Sequence, residues 1–193
     1  KVRKHVRFWR PAHAVFSDII ESGVLPKGAL QLVCGEPGDI LEHVQDGDSV
    51  LFTGSASTGK FLKTLPSISR QAVRFNMEAD SLNCSVLGLD AKQGTPEFDL
   101  FIKEVQREMT TKAGQKCTAV RRILVPEERL ESVRAALTES LDRLKIGNPL
   151  NRETRMGALV GKEQRSEVES RIALLQERTE LIYDGKHSLL DAD

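Results

Sequence analysis

Three short stretches of this chain carry residue types that could do chemistry. The first is Phe52-Thr53-Gly54-Ser55-Ala56-Ser57-Thr58-Gly59-Lys60, where an apolar run enters a turn of small residues and then a helical pattern. Amides at a helix start lack intrahelical partners and, with the helix dipole, attract anions. Glycine and serine let a phosphate approach the backbone, and Ser55 adds a hydroxyl. The stretch reads as a cradle for a cofactor phosphate or as a simple capped βα turn. The second is Gly114-Gln115-Lys116-Cys117-Thr118. Cys117 follows a glycine-containing turn at the end of an amphipathic helix, and Lys112 and Lys116 are close enough in sequence to favour its thiolate. It reads as a nucleophile or as a small buried apolar residue. The third is Phe75-Asn76-Met77-Glu78-Ala79-Asp80. Glu78 and Asp80 would point to one side if the strand continues through both. One of them is then a candidate general base, and the alternative is a solvated acid at a strand end.

Better-known motifs do not fit. Gly54 to Gly59 followed by Lys60 copies the start of a Walker A loop, but that loop next needs Ser or Thr for magnesium and position 61 is Phe. The G-x-G-x-x-G dinucleotide fingerprint is absent as well. Four scattered histidines and three cysteines show no zinc-type spacing, so no metal is expected.

The elements that must position these residues alternate. Ala14 to Ser22 predicts a short helix ended by Gly23. Leu30 to Cys34 predicts a buried strand closed by Gly35. Ile40, Leu41 and Val44 recur at helical spacing within Asp39 to Gln45. Val50 to Thr53 predicts a strand, and Ser55 to Leu65 a helix stopped by Pro66. Val73 to Glu78 and Cys84 to Leu87 follow as strands. Pro96 to Lys112 is a helix with Phe98, Phe101, Ile102, Val105 and Met109 on one face. Arg122 to Val125 is a strand. Pro126 stands at the first position of a helix that carries Leu130, Val133, Leu137, Leu141 and Leu144, with Gly147 and Pro149 beyond it. Gly161 to Arg178 is a further helix on Val168, Ile172 and Leu175, and Leu181 to Tyr183 begins a strand. Strand and helix alternating at these lengths imply βαβ units and a parallel sheet. Polar residues at Glu78 to Asn83 suggest a boundary between two domains. The abrupt start and the unpaired last strand point to a fragment.

Composition narrows the partners. Of 193 residues 39% are hydrophobic and 29% charged, ordinary for a globular chain with a core. The 28 basic residues equal the 28 acidic ones, which argues against a dedicated nucleic-acid binder. No apolar run is long enough to span a membrane. The basic stretch Lys1 to Arg10 lacks a following apolar segment, so it is no signal peptide, and it reads as a solvated face rather than an arm for nucleic acid or anionic lipid. Cys34, Cys84 and Cys117 suit a reducing cytoplasm better than a disulfide framework.

In this order, Phe52-Thr53-Gly54-Ser55 with Gly59, then an acid, then Gly114-Gln115-Lys116-Cys117, the three stretches resemble the aldehyde dehydrogenase superfamily. The likeness runs from about Ala14 to Gly185. Asn76-Met77-Glu78-Ala79-Asp80-Ser81-Leu82-Asn83 and Met109 to Cys117 look like its branch acting on CoA-linked semialdehydes in aerobic aromatic degradation. The resemblance implies an α/β fold: residues 1–78 as the C-terminal part of a Rossmann-type coenzyme domain, and 79–193 as the N-terminal part of an α/β catalytic domain. It implies Cys117 as nucleophile, Glu78 as general base, and Thr53, Gly54, Ser55, Thr58 and Gly59 around the cofactor pyrophosphate. It further implies NADP or NAD, with the branch leaning to NADP, an aldehyde substrate linked to CoA, and a homo-oligomeric parent. There are departures. Most of the superfamily reads Glu-Leu-Gly-Gly-Lys at the acid, whereas here the acid lies two positions further on if Asn83 is aligned, so that Asn76 competes for the place. The Lys-Pro pair expected near Arg3 and Lys4 is absent, and Lys1 to Pro11 match nothing in the branch.

The implied chemistry is attack by the Cys117 thiolate on an aldehyde, loss of hydride to a nicotinamide, and hydrolysis of the resulting thioester by water that Glu78 deprotonates. Glu78 would work best half-desolvated, which burial at a domain junction would supply. A cysteine hydrolase or acyltransferase is the rival reading, but the histidine nearest Cys117 in sequence is His187. The other rival is a non-catalytic remnant. The chain alone is expected to be inactive.

Overall fold

A computed structural model describes residues 9–35 and 37–185. Most of Lys1 to Arg10, together with His187 and the end from Leu189 to Asp193, lies outside the described residues. The chain divides into two compact units, one up to Asp80 and one from Ser81.

The first unit is built on two parallel strands. β1 (Ser49–Gly54) pairs with β2 (Arg74–Ala79), in register from Ser49 opposite Arg74 to Gly54 opposite Ala79. Parallel neighbours need a crossover. Here it is α2 (Ala56–Lys63) followed by α3 (Pro66–Ser69). Pro66 has no amide to continue α2, and its fixed φ suits the first turn of α3. Val50 and Phe52 turn inward while Leu51 is exposed, the alternation of a strand with one covered face. Before the sheet, α1 (Trp9–Glu21) starts earlier than the pattern from Ala14 suggested, and Asp39 to Gln45 forms only a single 3-10 turn over Ile40–His43.

Leu30 to Cys34 is a correction. It is apolar enough for a strand, yet no ladder forms and Gln31 to Cys34 are exposed. A strand is a property of a pair, and no described neighbour offers these residues an edge. Leu181 to Tyr183 fails to form a strand for the same reason.

The second unit repeats the crossover. β3 (Cys84–Val86) pairs in parallel with β4 (Arg122–Leu124), with Cys84 opposite Arg122. The helix between them is α4 (Pro96–Thr110), whose start is capped by Thr95 Oγ1 accepting the Phe98 amide. Phe98, Phe101, Ile102 and Val105 recur at helical spacing and are buried. They pack with Leu87, Ala91, Val133 and Leu137 as the core of this unit. The last two come from α5 (Leu130–Asp142). Met109 and Leu130, expected on the same stripes, stay exposed at the helix ends. Pro126 does not begin α5 directly, because a 3-10 turn over Glu127–Arg129 intervenes. In α6 (Lys162–Gln176) no residue is buried, and Ile172 and Leu175 remain exposed. Of its apolar stripe only Val168 is half-buried. No helix among the described residues is long and apolar enough to cross a membrane.

Candidate active site

The candidate phosphate turn lies at the carboxyl end of β1. Ser55 is the N-cap of α2: its Oγ accepts the Thr58 amide at 3.3 Å and donates to Thr58 Oγ1 at 2.8 Å. Ser57 Oγ is 3.2 Å away, so three hydroxyls gather at the helix start. The Ala56 amide donates to Asp80 Oδ2 at 2.9 Å. The helix start therefore already accepts an anion, here a carboxylate oxygen standing where a phosphate oxygen could, and these residues fit a cofactor phosphate in kind. Gly54 has a packing reason for its size, since a Cβ would stand 2.5 Å from Cζ of the Phe52 ring folded over it.

Gly59 sets how closely α2 lies on the sheet. It is buried, and a Cβ there would collide with the Met77 sulfur, 2.9 Å from Met77 Cγ and 3.1 Å from Phe52 Cδ1. Gly59→Val is therefore expected to destabilise the chain by about 1–3 kcal/mol through overpacking. Urea denaturation of the 193-residue chain checks this. An unchanged midpoint would mean that Met77 swings aside freely.

Glu78 stands on β2 directly opposite Thr53 of β1. The structure thus brings this carboxylate beside the turn at Gly54 and Ser55, at the carboxyl ends of adjacent parallel strands, where open α/β sheets bind ligands. Two expectations need correction. Glu78 is exposed, so burial does not desolvate it. Asp80 does not share its face: β2 ends at Ala79, and Asp80 turns to a φ of 38° to reach the Ala56 amide. Asp80 is an intramolecular cap, which leaves Glu78 as the available acid of the pair.

Cys117 belongs to the second unit, in the loop between α4 and β4. It is exposed, against the reading of a small buried apolar residue. Cys34 and Cys84 are exposed too. The helix expected to run to Lys112 stops at Thr110. Lys112, Ala113 and Gly114 then take left-handed φ values of 54°, 54° and 68°. For the two non-glycine residues this costs roughly 1–3 kcal/mol each and persists only where surrounding contacts impose it. At Gly114 a side chain would also press on the Met109 carbonyl oxygen, 3.2 Å from a Cβ.

The contacts that impose this loop are specific. Arg121 Nη2 donates to the Gly114 carbonyl at 3.0 Å and to the Lys116 carbonyl at 3.4 Å. Gln115 donates to the Lys112 carbonyl, and its Oε1 accepts the Val160 amide at 2.9 Å. Lys116 pairs with Glu108 at 2.7 Å, so its charge is compensated there rather than left for the thiol. The Cys117 carbonyl accepts from Ser81 Oγ and, at 2.7 Å, from Asn83 Nδ2. Sequence reasoning used Ser81, Gln115 and Asn83 only as wording and passed over Arg121 entirely. A Gly-Gln-Lys-Cys turn followed by an arginine was the available signal for Arg121. Among the described residues no three His, Cys, Asp or Glu side chains cluster as metal ligands would.

The profile of the aldehyde dehydrogenase family matches residues 10–192. A 3,4-dehydroadipyl-CoA semialdehyde dehydrogenase from Aromatoleum evansii is 44% identical over 184 residues, covering 94% of this chain and 36% of that protein. A betaine aldehyde dehydrogenase from Bacillus subtilis is 31% identical over 176 residues, 89% of this chain and 34% of its own length. Among solved structures, betaine aldehyde dehydrogenase from Staphylococcus aureus in complex with NAD+ superposes with a TM-score of 0.76 at 27% identity, over 92% of this chain and 34% of that one. The chain thus spans about a third of the length of each of these proteins. The α/β architecture with its parallel crossovers is theirs as well. With the match running almost from end to end, the chain belongs to the aldehyde dehydrogenase family.

Proposed function

We propose that the chain supplies the coenzyme turn, the nucleophile and the general base of an NAD(P)-dependent dehydrogenase that oxidises a CoA-linked semialdehyde to its acid. The observation that carries this is the in-register pairing of Glu78 with Thr53 beside the Ser55 turn. It joins a proton acceptor to an anion-accepting helix start without any long-range assumption. The CoA-linked substrate rests on the likeness to the Aromatoleum enzyme. In this reading the first unit is the coenzyme side and the second begins the catalytic side.

Thr53, Gly54, Ser55, Thr58 and Gly59 would hold the cofactor pyrophosphate at the start of α2. Bound nicotinamide supplies the hydride acceptor, which raises the carbon from aldehyde to acid level. Cys117 thiolate forms a bond to the aldehyde carbon as the C=O π bond opens, giving a thiohemiacetal whose oxygen carries the negative charge and re-forms the carbonyl as hydride leaves. That carbon then loses hydride and becomes a thioester. Glu78 takes a proton from water as the water oxygen attacks the thioester carbon, the C–S bond breaks, and Cys117 returns to thiolate. Sulfur suits both halves, being nucleophilic near neutrality and leaving readily from a thioester.

The native enzyme is expected to form NAD(P)H with a CoA-thioester semialdehyde at a kcat/KM at least about tenfold above that for betaine aldehyde. An equal or reversed preference overturns the CoA-linked substrate. Absence of NAD(P)H with any aldehyde overturns the dehydrogenase. The 193 residues alone span about a third of such an enzyme and are expected to show no turnover in the same assay.

A further inference from the structure

The thiol of Cys117 is exposed, so burial does not aim it. What does is found in the two peptide planes that flank its Cα. The plane before it carries the Lys116 carbonyl, held by Arg121 Nη2 at 3.4 Å and by the Ala119 amide at 3.4 Å. The plane after it carries the Cys117 carbonyl, held by Ser81 Oγ and by Asn83 Nδ2 at 2.7 Å. With both planes fixed, the Cα–Cβ direction is fixed, and only rotation about χ1 remains to the sulfur.

Asn83 does most of this. Its amide nitrogen reaches the Cys117 carbonyl, the Ala119 carbonyl at 3.2 Å and Ser81 Oγ at 3.1 Å. Its own backbone carbonyl accepts the amides of Arg121 at 2.8 Å and Arg122 at 3.2 Å. One residue at the start of β3 therefore grips both ends of the segment from Cys117 to Arg122, just where that segment enters β4. Ala119, in the middle, is fully buried. We propose that Asn83, assisted by Ser81, is a positioning residue that aims the Cys117 nucleophile. This rests on the proposed role of Cys117.

The test is Asn83→Asp in the native enzyme. The substitution keeps the shape but turns the donor nitrogen into an oxygen facing two carbonyls. Misplacing a reacting group by about an ångström costs on the order of 100-fold. The expected result is a fall of that size in kcat and in the rate of the first-turnover NAD(P)H burst, with KM for aldehyde and cofactor within about twofold. A residue that served stability alone would lower the melting temperature and leave both rates intact, and that result overturns the proposal. So does a rise in KM with kcat unchanged. Should Asn83→Asp not fold, Ser81→Ala removes one donor from the same carbonyl without adding charge; a fall in kcat of about fivefold supports the proposal and an unchanged kcat overturns it. Cys117→Ala runs alongside. Turnover retained there would bring down the nucleophile itself, whereas turnover lost there but kept in the Asn83 and Ser81 variants removes only the present inference.

Discussion

Cys117→Ala in the native enzyme is expected to lower aldehyde oxidation by on the order of 10,000-fold or more, with cofactor affinity unchanged. The two side chains just before Cys117 are engaged elsewhere. Lys116 is paired with Glu108 at 2.7 Å, and the Gln115 side chain is engaged with Lys112 and Val160. Without the sulfur there is no thiohemiacetal from which hydride can leave. The proposed cofactor turn is built by α2 and β1, which the substitution does not touch, so binding measured by nucleotide fluorescence should persist. Cys34→Ser and Cys84→Ser are the controls, since both of those thiols are also exposed. Wild-type turnover in the controls, with turnover lost at Cys117, assigns the chemistry to one sulfur. Retained turnover in Cys117→Ala removes it from that role.

What could be read in the sequence depended on the range of the interactions involved. The capped turn at Ser55 before α2 and the stripe from Phe98 to Val105 are set by neighbours within a turn or two, and the spacing shows them; the Thr95 cap of α4 is equally local but emerges only from the structure. The parallel crossovers follow from the alternation of elements, while the register that sets Glu78 opposite Thr53 comes from the structure. Leu30 to Cys34 is apolar enough to be a candidate for a sheet, while only a partner makes a strand. The place of Asp80 is hidden in the sequence because its left-handed φ and its bond to Ala56, 24 residues away, leave no periodic trace. The grip of Asn83 on Cys117 spans 34 residues and uses a backbone carbonyl, a group that every residue carries. The left-handed run at Lys112 and Ala113 is equally silent, since neither residue type announces a positive φ. Residue types mark the candidate chemistry; the long-range contacts around it leave no mark in the sequence.

Glu78→Gln is expected to separate the two halves of the reaction. Glutamine matches the carboxylate in size and stays in register opposite Thr53, but it cannot take a proton. Formation of the thiohemiacetal and loss of hydride do not require a base at this position, so the first turnover should still release a burst of NAD(P)H. In the proposed mechanism, hydrolysis of the thioester does require it. Removing a positioned general base costs about 100- to 10,000-fold, so steady-state turnover should fall by that factor and the acyl-enzyme should accumulate. Two neighbours compete for the role on sequence grounds alone. Asn76 lies on the same side of β2, two residues earlier, but an amide is no proton acceptor at neutral pH. Asp80 has the chemistry, but its carboxylate is bound to the Ala56 amide and lies beyond the end of the strand. Asp80→Asn should therefore leave the burst and the hydrolytic rate near those of the wild type, its effect confined to the start of α2. Rapid-quench measurement of bound acyl group beside stopped-flow NAD(P)H decides between them. A burst lost in Glu78→Gln would place the carboxylate before hydride transfer, as a base acting on the Cys117 thiol, and would remove it from the hydrolytic step.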